Sequence, residues 1–116
     1  DRVLMPGFVQ APQQVLQAAD LYVSSSLWEG YPLTLIEAYA SGLPIVARAC
    51  NFGPEEIVTP DRPGRLVRSL DVGDLADAMR EVAASVKRFP VGTVVDLSEN
   101  DPVYVAQRYC ALFANG

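Results

Sequence analysis

The chain has 116 residues and a formal net charge of -5, a length that suits one domain with one core. Half of the residues are apolar and a fifth are charged, which fits a globular chain and excludes wholesale disorder. Lys87-Arg88 is the only adjacent pair of cations and histidine is absent, which argues against a phosphate-tracking nucleic-acid surface, His general bases, Ser-His-Asp or Cys-His chemistry and most zinc sites.

In chain order, residues 2–5 read as a short strand ended by Pro6-Gly7. Residues 12–19 read as a helix, with Pro12 at its start and Val15, Leu16 and Ala19 on one face. A second strand is expected over 21–24 and a loop over 25–31. Residues 32–41 form the next predicted helix, with Pro32 in its first turn and Gly42 just past its end. Residues 44–49 are almost wholly apolar, as suits a strand covered on both faces of a parallel sheet. A turn over 51–54, one helical turn over 55–59 and a turn over 60–64 follow. A fourth strand is expected over 65–67. Asp71 opens a helix over 72–86, with Leu75, Ala76, Met79, Val82 and Ala83 at helical spacing. Residues 89–96 read as irregular with a little extended structure, and 102–113 as an amphipathic helix striped by Val105, Tyr109 and Leu112. Strands alternating with helices predict a parallel α/β sheet.

Cys50 and Cys110 have no metal spacing and read as small buried apolar side chains. No apolar stretch approaches the ~20 residues that span a bilayer, and nothing resembles a signal peptide. The expected location is cytoplasmic, with attachment to the inner membrane surface left open.

The chemistry is concentrated in Trp28-Glu29-Gly30-Tyr31-Pro32-Leu33-Thr34-Leu35-Ile36-Glu37-Ala38. This run follows a strand and opens a helix, the position where open α/β sheets bind ligands. Gly30 permits close backbone approach. The amides of Leu33 and Thr34 lie in a first turn without internal acceptors and suit an anion such as a diphosphate. Glu37 stands roughly 5–6 Å further along the same face, where a carboxylate could accept bonds from two ribose hydroxyls. Glu29, before the helix, could touch a sugar. Spacing alone leaves a structural reading open: Glu29 would favour the helix dipole and Glu37 would pair with Arg48. Arg48 reads as a structural ion pair, with a phosphate contact as the alternative; Trp28 reads as loop packing, with stacking on a sugar or base as the alternative shared with Tyr31; and Tyr39 reads as core or interface. No Gly-x-Gly-x-x-Gly or Walker sequence occurs.

The run Glu29-Gly30-Tyr31-Pro32-Leu33, then Glu37-Ala38, then Ala40-Ser41-Gly42-Leu43-Pro44-Ile45-Val46 resembles the signature of glycosyltransferase family 4, in which two glutamates are separated by seven residues. Ala19-Asp20 before the second strand resembles the lead-in. Gly53-Pro54-Glu55-Glu56-Ile57, Gly64-Arg65-Leu66-Val67 and Asp71 with Leu75-Ala76 resemble the downstream pattern. The resemblance covers residues 3–82.

The resemblance implies a GT-B architecture of two Rossmann-like domains, with this chain as the later part of the carboxy-terminal, nucleotide-sugar-binding one. On that reading residues 1–116 form a single partial domain. The acceptor domain and the first strands would come from a preceding sequence or a partner chain, and the segment alone would be inactive. A strand order of 3-2-1-4-5-6 would make the four predicted strands the third to the sixth. By resemblance, Glu37 holds the ribose hydroxyls, Glu29 lies at the transferred sugar, and Gly30, Tyr31, Pro32, Leu33 and Thr34 line the donor through backbone amides. Val9 would sit beside the nucleobase. The implied activity is retaining transfer of a hexosyl group from a nucleoside-diphosphate sugar, UDP being the family's commonest nucleotide, to a glycan or lipid-linked acceptor in glycan biosynthesis, with no metal or other cofactor. An Arg and a Lys that neutralise the diphosphate in the family lie upstream of the matched segment. The alternatives are a non-catalytic binding or scaffold subunit and a nucleotide-sugar epimerase of the same fold.

Overall fold

In a computed structural model of the chain, residues 3–91 and 101–114 are described. They form a parallel three-stranded sheet in the order β1-β2-β3, made of β1 (Tyr22–Ser24), β2 (Ile45–Arg48) and β3 (Gly64–Val67). Tyr22 stands opposite Ile45, and Ile45 opposite Gly64. The helices are α1 (Pro12–Ala18), α2 (Leu33–Ala40), α3 (Pro54–Ile57), α4 (Val72–Ser85) and α5 (Pro102–Ala114). The result is the expected Rossmann-like α/β arrangement, with sequential strands adjacent.

The alternation of β2 divides the core. Ile45 and Ala47 pack with Leu35, Ala38 and Tyr39 of α2 and Ile57 of α3. Val46 packs on the other face with Val67 and with Leu75, Ala78 and Val82 of α4. All four β2 residues are buried, as its apolar run requires of a central strand with helices on both faces. Burying a side chain such as Leu35 contributes about 1.5–3 kcal/mol.

α2 ends as its sequence demands. Gly42 adopts φ +78. Its amide donates to the Tyr39 carbonyl at 2.9 Å, and the Leu43 amide donates to the Ala38 carbonyl at 3.0 Å. This pair of bonds is a Schellman closure, which satisfies carbonyls the helix leaves open. A Cβ on Gly42 would stand 2.3 Å from the Phe89 carbonyl oxygen, so the segment after α4 passes directly over this corner. α4 is capped at its other end by Asp71, whose carboxylate accepts from the Gly73 and Asp74 amides.

Several expectations need correction. Residues 3–5 form no strand, and Val3, Leu4 and Met5 are strongly exposed. No strand among the described residues lies beside them, and a strand without a hydrogen-bonding neighbour gains nothing from extending. Of the stripe expected on α4, Leu75 and Val82 are buried together with Ala78, while Met79 and Ala83 lean to solvent. Cys50 is half-buried and Cys110 exposed, so neither is a core side chain. Arg2, residues 92–96 and the side chains of Tyr109, Leu112 and Phe113 lie outside the described residues.

Candidate functional site

The C-terminal ends of β1, β2 and β3 carry the loops that form one rim of the molecule. The loop after β1 contains Glu29, Gly30, Tyr31 and Pro32 and runs directly into α2. Pro32 is buried as the cap residue of α2, and no side chain caps that end. The Leu35 amide bonds the Pro32 carbonyl at 3.0 Å. The amides of Leu33 and Thr34, in the first turn, have no intrahelical acceptor. They sit at the positive end of the helix dipole.

Leu33, Thr34 and Glu37 share the exposed face of α2, while Leu35, Ala38 and Tyr39 hold its opposite face to the sheet. Among the described residues the Glu37 carboxylate makes no hydrogen bond and no ion pair. The same holds for the half-buried Glu29. The expected Glu37–Arg48 pair does not form. Strand alternation places Arg48 on the α4 side of the sheet, with Val46 and away from α2. There Arg48 is 7% exposed, and it donates to the Leu70 carbonyl at 3.0 Å and the Asp71 carbonyl at 3.5 Å. It is a buried cation held by carbonyls and not by a carboxylate, and its Nε has no partner.

The loop is held from behind. Gly53 takes φ +88, and a Cβ there would stand 2.3 Å from Pro32 Cδ and 3.2 Å from the Gly30 carbonyl oxygen. The turn after β2 therefore buttresses the turn after β1 through glycine backbone. Trp28, expected to pack the loop, is 83% exposed, because no described element covers that side of the rim. Tyr31 is about half exposed. Val9 is half-buried in the segment before α1. Tyr39 is fully buried in the core, its ring tilted against Phe89 at 6.3 Å and lying 5.9 Å from the Arg62 guanidinium. Burial pushes its phenol up to about 12, against the opposing attraction of Arg62.

The rim also contains residues that sequence reasoning passed over. Asn51, Phe52, Glu55 and Arg68 line an open recess beside the β1 loop. The signal for one of them was local: Phe52 precedes Gly53-Pro54 and is forced into a positive φ of 69. No group of three or more potential metal-ligating side chains is found among the described residues. No helix of the described residues is long and apolar enough to cross a membrane.

A parallel sheet whose C-terminal rim carries an uncapped helix start, carboxylates without partners among the described residues and a buttressed glycine turn has the form of the end at which Rossmann-like domains bind ligands. Residues 1–85 match the Glycosyl transferases group 1 family, and the chain belongs to it. It is 32% identical over 80 residues to the poly(ribitol-phosphate) alpha-N-acetylglucosaminyltransferase of Staphylococcus aureus, covering 69% of this chain and 16% of that protein. It is 33% identical over 81 residues to the UDP-Gal:alpha-D-GlcNAc-diphosphoundecaprenol alpha-1,3-galactosyltransferase of Escherichia coli, covering 70% of this chain and 21% of that one. The solved structure of the lipopolysaccharide outer core galactosyltransferase WaaB in its apo form superposes with a TM-score of 0.73 at 25% identity, covering 99% of this chain and 34% of that chain. The chain thus spans about a third or less of each of these three.

Proposed function

We propose that this chain is the donor-binding part of a retaining, family 4 glycosyltransferase, the later portion of its carboxy-terminal domain. Glu37 receives the ribose hydroxyls of a nucleoside-diphosphate sugar. The amides of Leu33 and Thr34, with Gly30, Tyr31 and Pro32 shaping the turn, receive the diphosphate. Glu29 lies at the transferred hexosyl group and Val9 beside the base. UDP is the expected nucleotude carrier, in keeping with a relative whose name specifies UDP-Gal. The acceptor is a glycan or a lipid-linked glycan, in keeping with a relative whose name specifies alpha-D-GlcNAc-diphosphoundecaprenol. A second domain completes the cleft, the protein works in the cytoplasm at or near the inner membrane face, and no metal ion is required.

The observation that carries this reading is the state of Glu37. A carboxylate on the exposed face of α2, one turn beyond two unengaged amides and without a partner among the described residues, has no structural task there. Backbone amides and the helix dipole neutralise part of a diphosphate's charge. A ribose diphosphate spans the distance from those amides to Glu37, roughly 5–6 Å along the axis.

Calorimetric titration of UDP and of GDP into the intact protein, wild type beside Glu37→Ala, tests it. One nucleotide is expected to bind, and the substitution to weaken it by about 1–3 kcal/mol, the scale of bonds to a charged group. Binding of neither nucleotide, or indifference to the substitution, would transfer support to a scaffold role.

A further inference from the structure

Beyond the donor turn, the segments that follow β2 and β3, with Glu55 of α3, border an open recess of about 380 Å³ lined by Ala49, Cys50, Asn51, Phe52, Glu55 and Arg68. Its volume lies in the ordinary range for small-ligand sites, about 300–1,000 Å³. None of its residues has a part in the donor site proposed above.

Phe52 is the feature that demands a reason. It is 75% exposed, so burial of its ring does not hold it in place. It also adopts the left-handed conformation at φ +69, which for a bulky side chain costs roughly 1–2 kcal/mol. The turn is nevertheless fixed, because Gly53 behind it packs on Pro32 and Gly30. An aromatic face is therefore held out at the rim, against local preference, on a rigid support.

The polar lining narrows the ligand. Arg68 pairs with Glu55, and both groups remain largely open to solvent on their other edges. A paired guanidinium and carboxylate offer donors and acceptors side by side in planar groups. Asn51 adds an amide with both functions. Vicinal hydroxyls donate and accept at once and match this set. The Glu55 carboxylate offsets the Arg68 charge, which disfavours a free phosphate or another bare anion.

We infer that the recess seats a pyranose ring, with Phe52 against its C–H face and Arg68, Glu55 and Asn51 on its hydroxyls. The inference rests on the glycosyltransferase reading. The ring comes either from the donor's glycosyl group or from the acceptor saccharide, whose chemistries are the same.

Saturation-transfer NMR on the intact protein tests it with the methyl α-glycosides of galactose, glucose and N-acetylglucosamine as probes. At least one is expected to receive saturation on its C–H face. Phe52→Ala should weaken it roughly two- to tenfold, the scale of one aromatic contact, while Phe52→Trp retains it. Arg68→Ala, at an exposed side chain, should weaken it comparably and supplies the test if Phe52→Ala does not fold. Displacement of the glycoside by UDP-sugar but not by UDP identifies the donor's glycosyl group as the occupant. Persistence of the glycoside beside UDP-sugar identifies an acceptor saccharide. UDP affinity should be the same in Phe52→Ala as in wild type, so a failed donor site (no UDP binding, or no effect of Glu37→Ala) is read separately. The inference is overturned if no glycoside binds, or if neither Phe52→Ala nor Arg68→Ala weakens the one that does.

Discussion

The two ends of α2 are built on opposite principles. Its C-terminal end is closed: Ser41, Gly42 and Leu43 are buried, the Schellman bonds are made, and Arg88 reaches across to the carbonyls of Ser41 and Gln17. Its N-terminal end is open: no side chain caps it, Leu33 is 61% exposed, and the Glu37 carboxylate one turn further on has no described partner. The closed end satisfies the carbonyls of Glu37, Ala38 and Tyr39, which is how a helix terminus adds to stability. The open end leaves its amides to water, which costs stability and leaves them available to a ligand. On the proposed function, one eight-residue helix therefore divides into an anchor and a receptor.

The contrast can be attacked from the anchor first. Gly42→Ala should be the most damaging change, because it forces a Cβ into the left-handed region and toward the Phe89 carbonyl oxygen. A loss of about 2 kcal/mol or more is expected in urea unfolding. A loss below about 0.5 kcal/mol would mean that the corner is not tightly packed.

Alkaline pH probes the same end through Tyr39. Its phenol is pushed up to about 12 by burial, above the ordinary value near 10. A raised folded-state value means that the neutral phenol is favoured in the fold. Its contribution is complete below pH ~10 and is lost as pH rises toward ~12. Unfolding midpoints should fall across that window, and Tyr39→Phe should flatten the fall. An unchanged slope in Tyr39→Phe would show that Tyr39 does not govern it.

Arg88→Ala removes the two reported carbonyl contacts, to Gln17 and Ser41, and should cost about 1–2 kcal/mol. At the open end, Leu33→Ala should change stability by no more than about 0.5 kcal/mol, as for an exposed position away from special features. If the two substitutions cost the same, the two ends are not different in kind.

Much of the anchor was legible in the sequence, and less of the receptor. Gly42 after a predicted helix, the apolar run that became β2, and Asp71 before a helical stripe all encode local rules, and each formed as read. Arg48 shows where local reasoning stops. The structural reading of the spacing paired it with Glu37, but the period-two alternation of β2 turns Arg48 to the face opposite α2. Trp28 was expected to pack, and its exposure follows from what surrounds the loop in space, which one chain's spacing does not encode. The strand expected over residues 2–5 depends on a neighbour far away in sequence. The recess at Phe52 arises where two loops after different strands meet, and only the positive φ before Gly53-Pro54 hinted at it.

On the proposed function, α2 separates holding the fold from holding the nucleotide. The most direct measurement pairs UDP calorimetry with urea unfolding on Glu37→Ala. A loss of about 1–3 kcal/mol in nucleotide binding is expected, with stability held within about 0.5 kcal/mol. A fall in stability of the same size as the fall in binding, or no fall in binding at all, would contradict it and make Glu37 a structural residue.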